Sequence, residues 1–331
     1  MTRKLPQTDS HRQRGAALLL AMLVVTLVAT LAAAALWQQW RSAEVESAER
    51  QRVQAGWLLT GALDWARLIL REDARGNRNS GSADHLGEPW ATPLEEAQLS
   101  SFLAADVNNN TEDLLPAFLS GEIVDAQAKL NAFNLVRKTG TGAQAKAEIS
   151  PPDLATFSKL YVLLNLPESE LTAAADALLL STQAALANPE PSPTPLLPTR
   201  YAQLSWLGIS DASLQALRPH VTWLPERTPL NLNTASAQAL CASIAVLDMA
   251  TAERLVVERA NTPFADLPAA TARIPGATVE TLKPTEHDVR SRYFEVSVRL
   301  RLEDRTTQER SLVVRRGLKT GVIWRERTAV L

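Results

Sequence analysis

The chain has 331 residues, 46% of them hydrophobic, and its 34 Lys and Arg against 36 Asp and Glu leave a formal net charge of −2. That is enough apolar material for a folded body of one to two domains beyond any anchor. The near balance of charge argues against a protein whose main task is gripping nucleic acid or an anionic membrane surface.

A single cysteine, Cys241, excludes an internal disulfide framework and any multi-cysteine metal site. Its apolar helical context predicts a buried, inert thiol.

The N-terminal stretch carries Arg3, Lys4, Arg12 and Arg14, with Asp9 its only acid, and runs into Gly15. From Ala16 to Trp37 follow 22 residues whose only polar side chains are Thr26 and Thr30. At about 1.5 Å per residue this helix is roughly 33 Å long, enough to cross a hydrocarbon core. The basic bias before it predicts a cytoplasmic N-terminus and an outward body. A cleaved secretory signal usually has a shorter apolar core, so the anchor is expected to stay in the mature protein. The lone glycine between basic leader and apolar helix lets a protease approach the backbone closely.

Residues 38–72 continue as an amphipathic helix in which Ala55, Leu59, Ala62, Ala66 and Ile69 form one stripe. Residues 73–92 read as a loop rich in Gly, Asn and Ser. Gly121 to Val136 reads as two short extended pieces around a turn near Ala126. From Pro151 to about Thr285 the pattern is helical, broken by a proline-rich connector at 187–199. In Phe294, Val296, Val298 and Leu300, apolar residues alternate with polar ones, and Ser311 to Val314 is extended again, which predicts a hairpin with one buried face.

Pro229 to Leu267 resembles a helix-hairpin-helix unit, in which backbone amides of a glycine-rich hairpin bind DNA phosphates. Here the hairpin, Ala245 to Met249, has no glycine and contains Asp248, which repels phosphate. Five acids face four bases over Pro229–Thr285, so there is no basic footprint. A packing module is the expectation, and a membrane-anchored DNA-uptake protein is the alternative. No H-E-x-x-H, G-x-S-x-G, Walker loop or C-x-x-C occurs, and His11, His85, His220 and His287 are scattered. No catalytic residues and no enzyme activity are expected.

The Gly15 junction resembles the class III signal of type IV pilins and pseudopilins. That resemblance implies cleavage by prepilin peptidase between Gly15 and Ala16 and N-methylation of Ala16. Most pilin-like proteins carry a glutamate five residues into the mature helix, and here that position is Leu20. A membrane carboxylate needs a partner, in that family the N-terminal amine of the preceding subunit. Leucine therefore implies a first-placed, tip subunit.

Three further words resemble the protein K family of type II secretion minor pseudopilins. These are Asp84 to Ala91, Leu130 to Leu135, and Asn231–Leu232–Asn233–Thr234–Ala235 with Arg259. The asparagine and threonine of the third are expected to cap a helix.

The resemblance covers essentially the whole chain. It implies an α+β fold in which a pilin-like long N-terminal helix packs on a small antiparallel sheet, with a large all-α domain inserted between strands. The implied division is a leader at 1–15, a transmembrane helix at 16–37, a helical stalk at 38–72, a first half-body at 73–150, the insert at 151–285 and returning strands at 286–331. It also implies a single-pass inner-membrane anchor with a periplasmic body, the minor pseudopilins I and J and other pseudopilins as partners, and no nucleic acid.

Relatives are known for calcium in the insert, but Asp176 to Asn188 holds a single acid, so no calcium ligands are assigned there. "DVNNNTED", Asp106 to Asp113, offers Asp106, Asn108 and Asn110 at positions one, three and five of a calcium loop, but Thr111 stands in place of its glycine and Ala117 in place of its closing glutamate.

Overall fold

A computed structural model describes residues 10–80, 83–99, 117–140, 146–186, 196–302 and 305–330. The acid-bearing loop at 106–113 and most of the 187–199 connector lie outside the described residues. The chain divides into two compact units, Met1–Leu58 and Leu59–Leu331.

Helix α1 spans Ser10–Ser80. In the first unit its surface is exposed over the apolar run, and Thr26 and Thr30 donate their hydroxyls back to the carbonyls of Leu23 and Leu27 at 2.9 and 2.8 Å. Beyond the run, Arg50 pairs with Glu46 one turn away at 2.6 Å, the spacing that supports an isolated helix.

In the second unit α1 buries Leu59, Leu63, Ala66 and Leu70. The buried line shares Leu59 and Ala66 with the expected stripe but passes through Leu63 and Leu70 instead of Ala62 and Ile69. The helix also runs to Ser80, where a loop from residue 73 was expected. Arg75 pairs with Glu72 at 2.7 Å and Asn77 donates to Asp73, so three- and four-residue bonds carry the polar stretch.

The sheet has the order β1 (Leu94–Gln98), β2 (Ala117–Asp125), β9 (Tyr293–Leu302), β10 (Arg305–Arg316) and β11 (Lys319–Val330), all antiparallel. In β9 the apolar residues at every second position are buried, as the alternation requires. Gly317, at φ +61°, begins the two-residue turn from β10 to β11; a hairpin turn with positive φ at its first central residue alone takes glycine there. At Gly121 the constraint is space: a Cβ there would lie 2.9 Å from the Ser297 carbonyl of β9.

Strands β2 and β9 are neighbours, with Asp125 opposite Phe294, yet residues 126–292 separate them in sequence. That segment is mainly helical: α2 (Pro151–Leu163), α3 (Glu168–Leu186), α4 (Asp211–Leu217), α5 (Ala237–Ser243), α6 (Met249–Asn261) and α7 (Leu267–Arg273).

Short strand pairs stitch it: β3 (Leu130–Asn131) with β6 (Val221–Thr222), β4 (Val136–Thr139) with β5 (Lys146–Ile149), and β7 (Leu230–Asn231) with β8 (His287–Asp288). The expected second extended piece near Ala126 is mostly 3-10 helix, at Ala126–Ala128 and Ala132–Leu135. The main apolar core lies within this segment and contains Cys241. A smaller cluster of Ala126, Leu224, Tyr293, Leu312 and Val314 joins it to the sheet.

Candidate functional site

In the first unit, Gly15 and Ala16 are exposed on α1, and no side chain would crowd a Cβ at Gly15. Leu20 is exposed in the apolar face that follows. One helix, with mean hydropathy 2.6 over its most apolar stretch and that stretch fully exposed, has the length and composition of a membrane span. Its two hydroxyls bond within the helix, as hydrocarbon surroundings require.

In the second unit two of the three words singled out in the sequence, those of Asp84 and Asn231, meet in one buried polar clamp. Asp84 accepts from the Ser291 backbone N–H at 2.6 Å and binds the Arg315 guanidinium, which also holds Asp73 at 2.5 Å. Glu88 accepts from Trp90 Nε1 at 2.8 Å, from the His85 N–H at 3.0 Å and from Asn77 at 3.1 Å.

Asp125, at the end of β2, accepts from Asn231 at 3.0 Å, from Thr234 and Ser291 at 2.6 Å each, and from the Gln127 N–H at 2.7 Å. Asn231 also donates to the Asp84 carbonyl at 3.2 Å. The clamp thus ties the last turns of α1, the end of β2, the middle of the insert and the entry to β9.

The other asparagines hold backbone in the same way. Asn131 donates to the Glu226 carbonyl and Thr228 and accepts from the Leu224 N–H, while Asn134 exchanges two bonds with Thr228 backbone. Asn233 brackets Phe264 through both its N–H and its carbonyl. Arg259 donates to the carbonyls of Leu232 and Ala235.

The expected capping role of Asn231, Asn233 and Thr234 is corrected: the N-cap of α5 is Ser236, which accepts from the Ala239 N–H. The asparagine and threonine lie before the helix starts, too early to reach its free amides, and bond across the fold instead.

Burial sets the charge states. Burial first, then the neighbouring Glu88, raises the Asp73 carboxyl to about 7, against the opposing pull of Arg315. Burial raises Asp125 to about 6, although hydrogen bonds from Ser291 and Thr234 oppose it. Burial by itself would lower Arg315, but the Asp84 and Asp73 carboxylates outweigh it and raise the group. Burial lowers Arg259 to about 10, still charged at neutral pH.

Carboxylate oxygens of Asp73, Asp84 and Glu88 lie within 4.8 Å of one another. They do not fit calcium, which takes six to eight oxygen ligands. Arg315 occupies two of the carboxylates, and three protein donors occupy the third.

The hairpin between α5 and α6 presents the opposite of a phosphate site. Asp248 caps α6 by accepting from the Thr251 N–H at 2.8 Å, so the helix end already holds an anion. Lys159 donates to the hairpin carbonyls of Ile244 and Leu247 at 3.3 and 2.8 Å, turning the loop inward.

The three histidines of the second unit make separate contacts. His85 accepts from the Gly87 N–H, His220 bonds Ser236, and His287 is buried beside β7.

The family model for type II secretion system protein K matches residues 230–290, from β7 to just past β8. The chain is 28% identical over 312 residues to type II secretion system protein K of Pseudomonas aeruginosa, an alignment covering 88% of this chain and 86% of that protein. The protein K of Pectobacterium carotovorum is 27% identical over 95% of this chain and 96% of its own length. That of Klebsiella pneumoniae is 34% identical over 82 residues, 25% of this chain and 24% of its own length.

In fold, the chain is similar to a chain of the solved GspK–GspI–GspJ complex of the enterotoxigenic Escherichia coli type 2 secretion system. The TM-score is 0.65 at 20% identity, over 85% of this chain and 98% of that one. The matched span contains the Asn231 word and Arg259, and the long alignments extend the likeness over most of the chain: in sequence and in fold the chain is similar to type II secretion system protein K.

Proposed function

We propose that this chain is a minor pseudopilin that caps the tip of the type II secretion pseudopilus and initiates its assembly for protein export across the outer membrane. In this reading prepilin peptidase cuts between Gly15 and Ala16, and Ala16 is N-methylated. The helix over 16–37 then anchors the chain in the inner membrane, with the body in the periplasm. The domain division is the one drawn above, with the helical insert at 151–285 forming the broad head.

Minor pseudopilins I and J are the proposed neighbours, as in the complex named for the Escherichia coli relative, and other pseudopilins follow below. The role is mechanical, with no catalytic step.

The observation that carries this reading is Leu20. A tip subunit has no preceding amine to neutralise a carboxylate, and a leucine at that depth carries no charge that needs one. The DNA-uptake alternative finds no support in a hairpin whose helix end is occupied by Asp248.

The test is the N-terminal sequence and mass of the protein from cells with and without prepilin peptidase. A methylated Ala16 start that vanishes without the peptidase supports the route, and a Met1 start in both overturns it. Co-purification of proteins I and J with the full chain tests the tip assignment, and loss of neither partner on replacing Leu20 by Glu would count against Leu20 as its basis.

A further inference from the structure

The end of the apolar run in α1 is marked by two tryptophans and an arginine. Trp37 closes the run and Trp40 follows one turn on; they are 64% and 60% exposed, with rings 5.5 Å apart. Exposed indoles so close together are unfavourable in water. At a membrane surface they are favoured, because the ring body sits among lipid and its N–H reaches the wet headgroups. Arg41 comes next and is exposed. Of the three glutamates beyond it, Glu46 pairs with Arg50 and Glu49 with Arg52, and no ion pair is found for Glu44 or Arg41 among the described residues.

The length of the run matches. From Ala16 to Trp37 the helix covers about 33 Å, close to the thickness of a hydrocarbon core. With Trp37 at one surface, Ala16 reaches the other.

We propose that Trp37, Trp40 and Arg41 form a lipid-headgroup patch on the periplasmic face, the indoles at the acyl–headgroup boundary and the guanidinium on lipid phosphate, which sets the depth of α1 in the bilayer. The proposal rests on the anchor reading above and adds where the membrane ends. Arginine suits the phosphate because its planar fork bonds two oxygens at once.

The test uses the full chain reconstituted in phosphatidylethanolamine–phosphatidylglycerol vesicles containing lipids brominated at a shallow or a deep acyl position. Flotation with the vesicles is measured first, then quenching of tryptophan fluorescence for the wild type and for a Trp37→Phe, Trp40→Phe double variant. The expected result is flotation of both proteins, stronger quenching by the shallow bromines, and loss of most of that quenching in the double variant.

Flotation with quenching unchanged in the double variant, or lost chiefly from the deep lipid, overturns the patch and leaves the anchor standing. The first of these outcomes would place the indoles against protein or water. Failure to float overturns the anchor and the patch together.

Discussion

At the scale of single residues, the clamp concentrates charge where solvent does not reach, and Arg315 is its counterweight. Replacing Arg315 by Met leaves Asp73 and Asp84 buried without their cation, a change that costs about 3–5 kcal/mol. Thermal unfolding of a fragment lacking the apolar run should show it.

Two buried groups give opposite pH slopes. Asp73 has a folded value of about 7, above the ordinary carboxylate range, so its contribution is fully present below about pH 4 and is lost as pH rises through 7. Burial lowers His287 to about 4, helped by Lys283 and opposed by the Ser243 carbonyl and Asp153. Its contribution is present above about pH 6.5 and is lost as pH falls toward 4.

Melting temperatures measured from pH 4 to 8 should therefore decline less on the alkaline side in Asp73→Asn and less on the acid side in His287→Asn. Equal slopes in the wild type and both variants would contradict the assignment. None of these pairings was visible in sequence. Arg315 and Asp84 are 231 positions apart, and nothing in the local pattern around either names the other.

At the scale of elements, period and capping chemistry carry most of the fold. The alternation in Phe294 to Leu300 specified β9 because one face of an antiparallel strand is buried and the other wet. Elements whose pattern is mixed were not legible. Strand β1 is largely exposed, so no alternation marks it, and the last turns of α1 are polar, glycine-containing sequence held by ion pairs and by contacts to distant residues.

The α5–α6 hairpin was legible in outline and misread in detail, since Ser236 and Asp248, rather than the upstream asparagine and threonine, cap its helices. Replacing Asp248 by Ala should cost about 1 kcal/mol through loss of that cap. If Asp248 were guarding a phosphate site, Asp248→Gly would create salt-dependent DNA binding. The inward Lys159 contacts predict none by fluorescence anisotropy. In the sheet, Gly121→Ala should destabilise by about 1–3 kcal/mol, because the new methyl meets backbone that cannot swing aside.

At the scale of the whole molecule, the large unit from Leu59 to Leu331 holds both apolar clusters and every member of the clamp. A fragment beginning at Leu59 should therefore fold alone, with a single cooperative melt followed at once by helical and strand signals in circular dichroism. Separate transitions for the two signals would show that the insert is not coupled to the sheet.

By itself the sequence determined the long apolar helix, the helical middle, the returning β9–β10 hairpin and the kinship words, because periodicity, composition and short motifs are local properties. Only the tertiary structure decided that β2 and β9 are neighbours across residues 126–292, and that the Asp84 and Asn231 words meet in one clamp. A buried polar side chain must find a partner, but which partner depends on the fold that carries both to the same place.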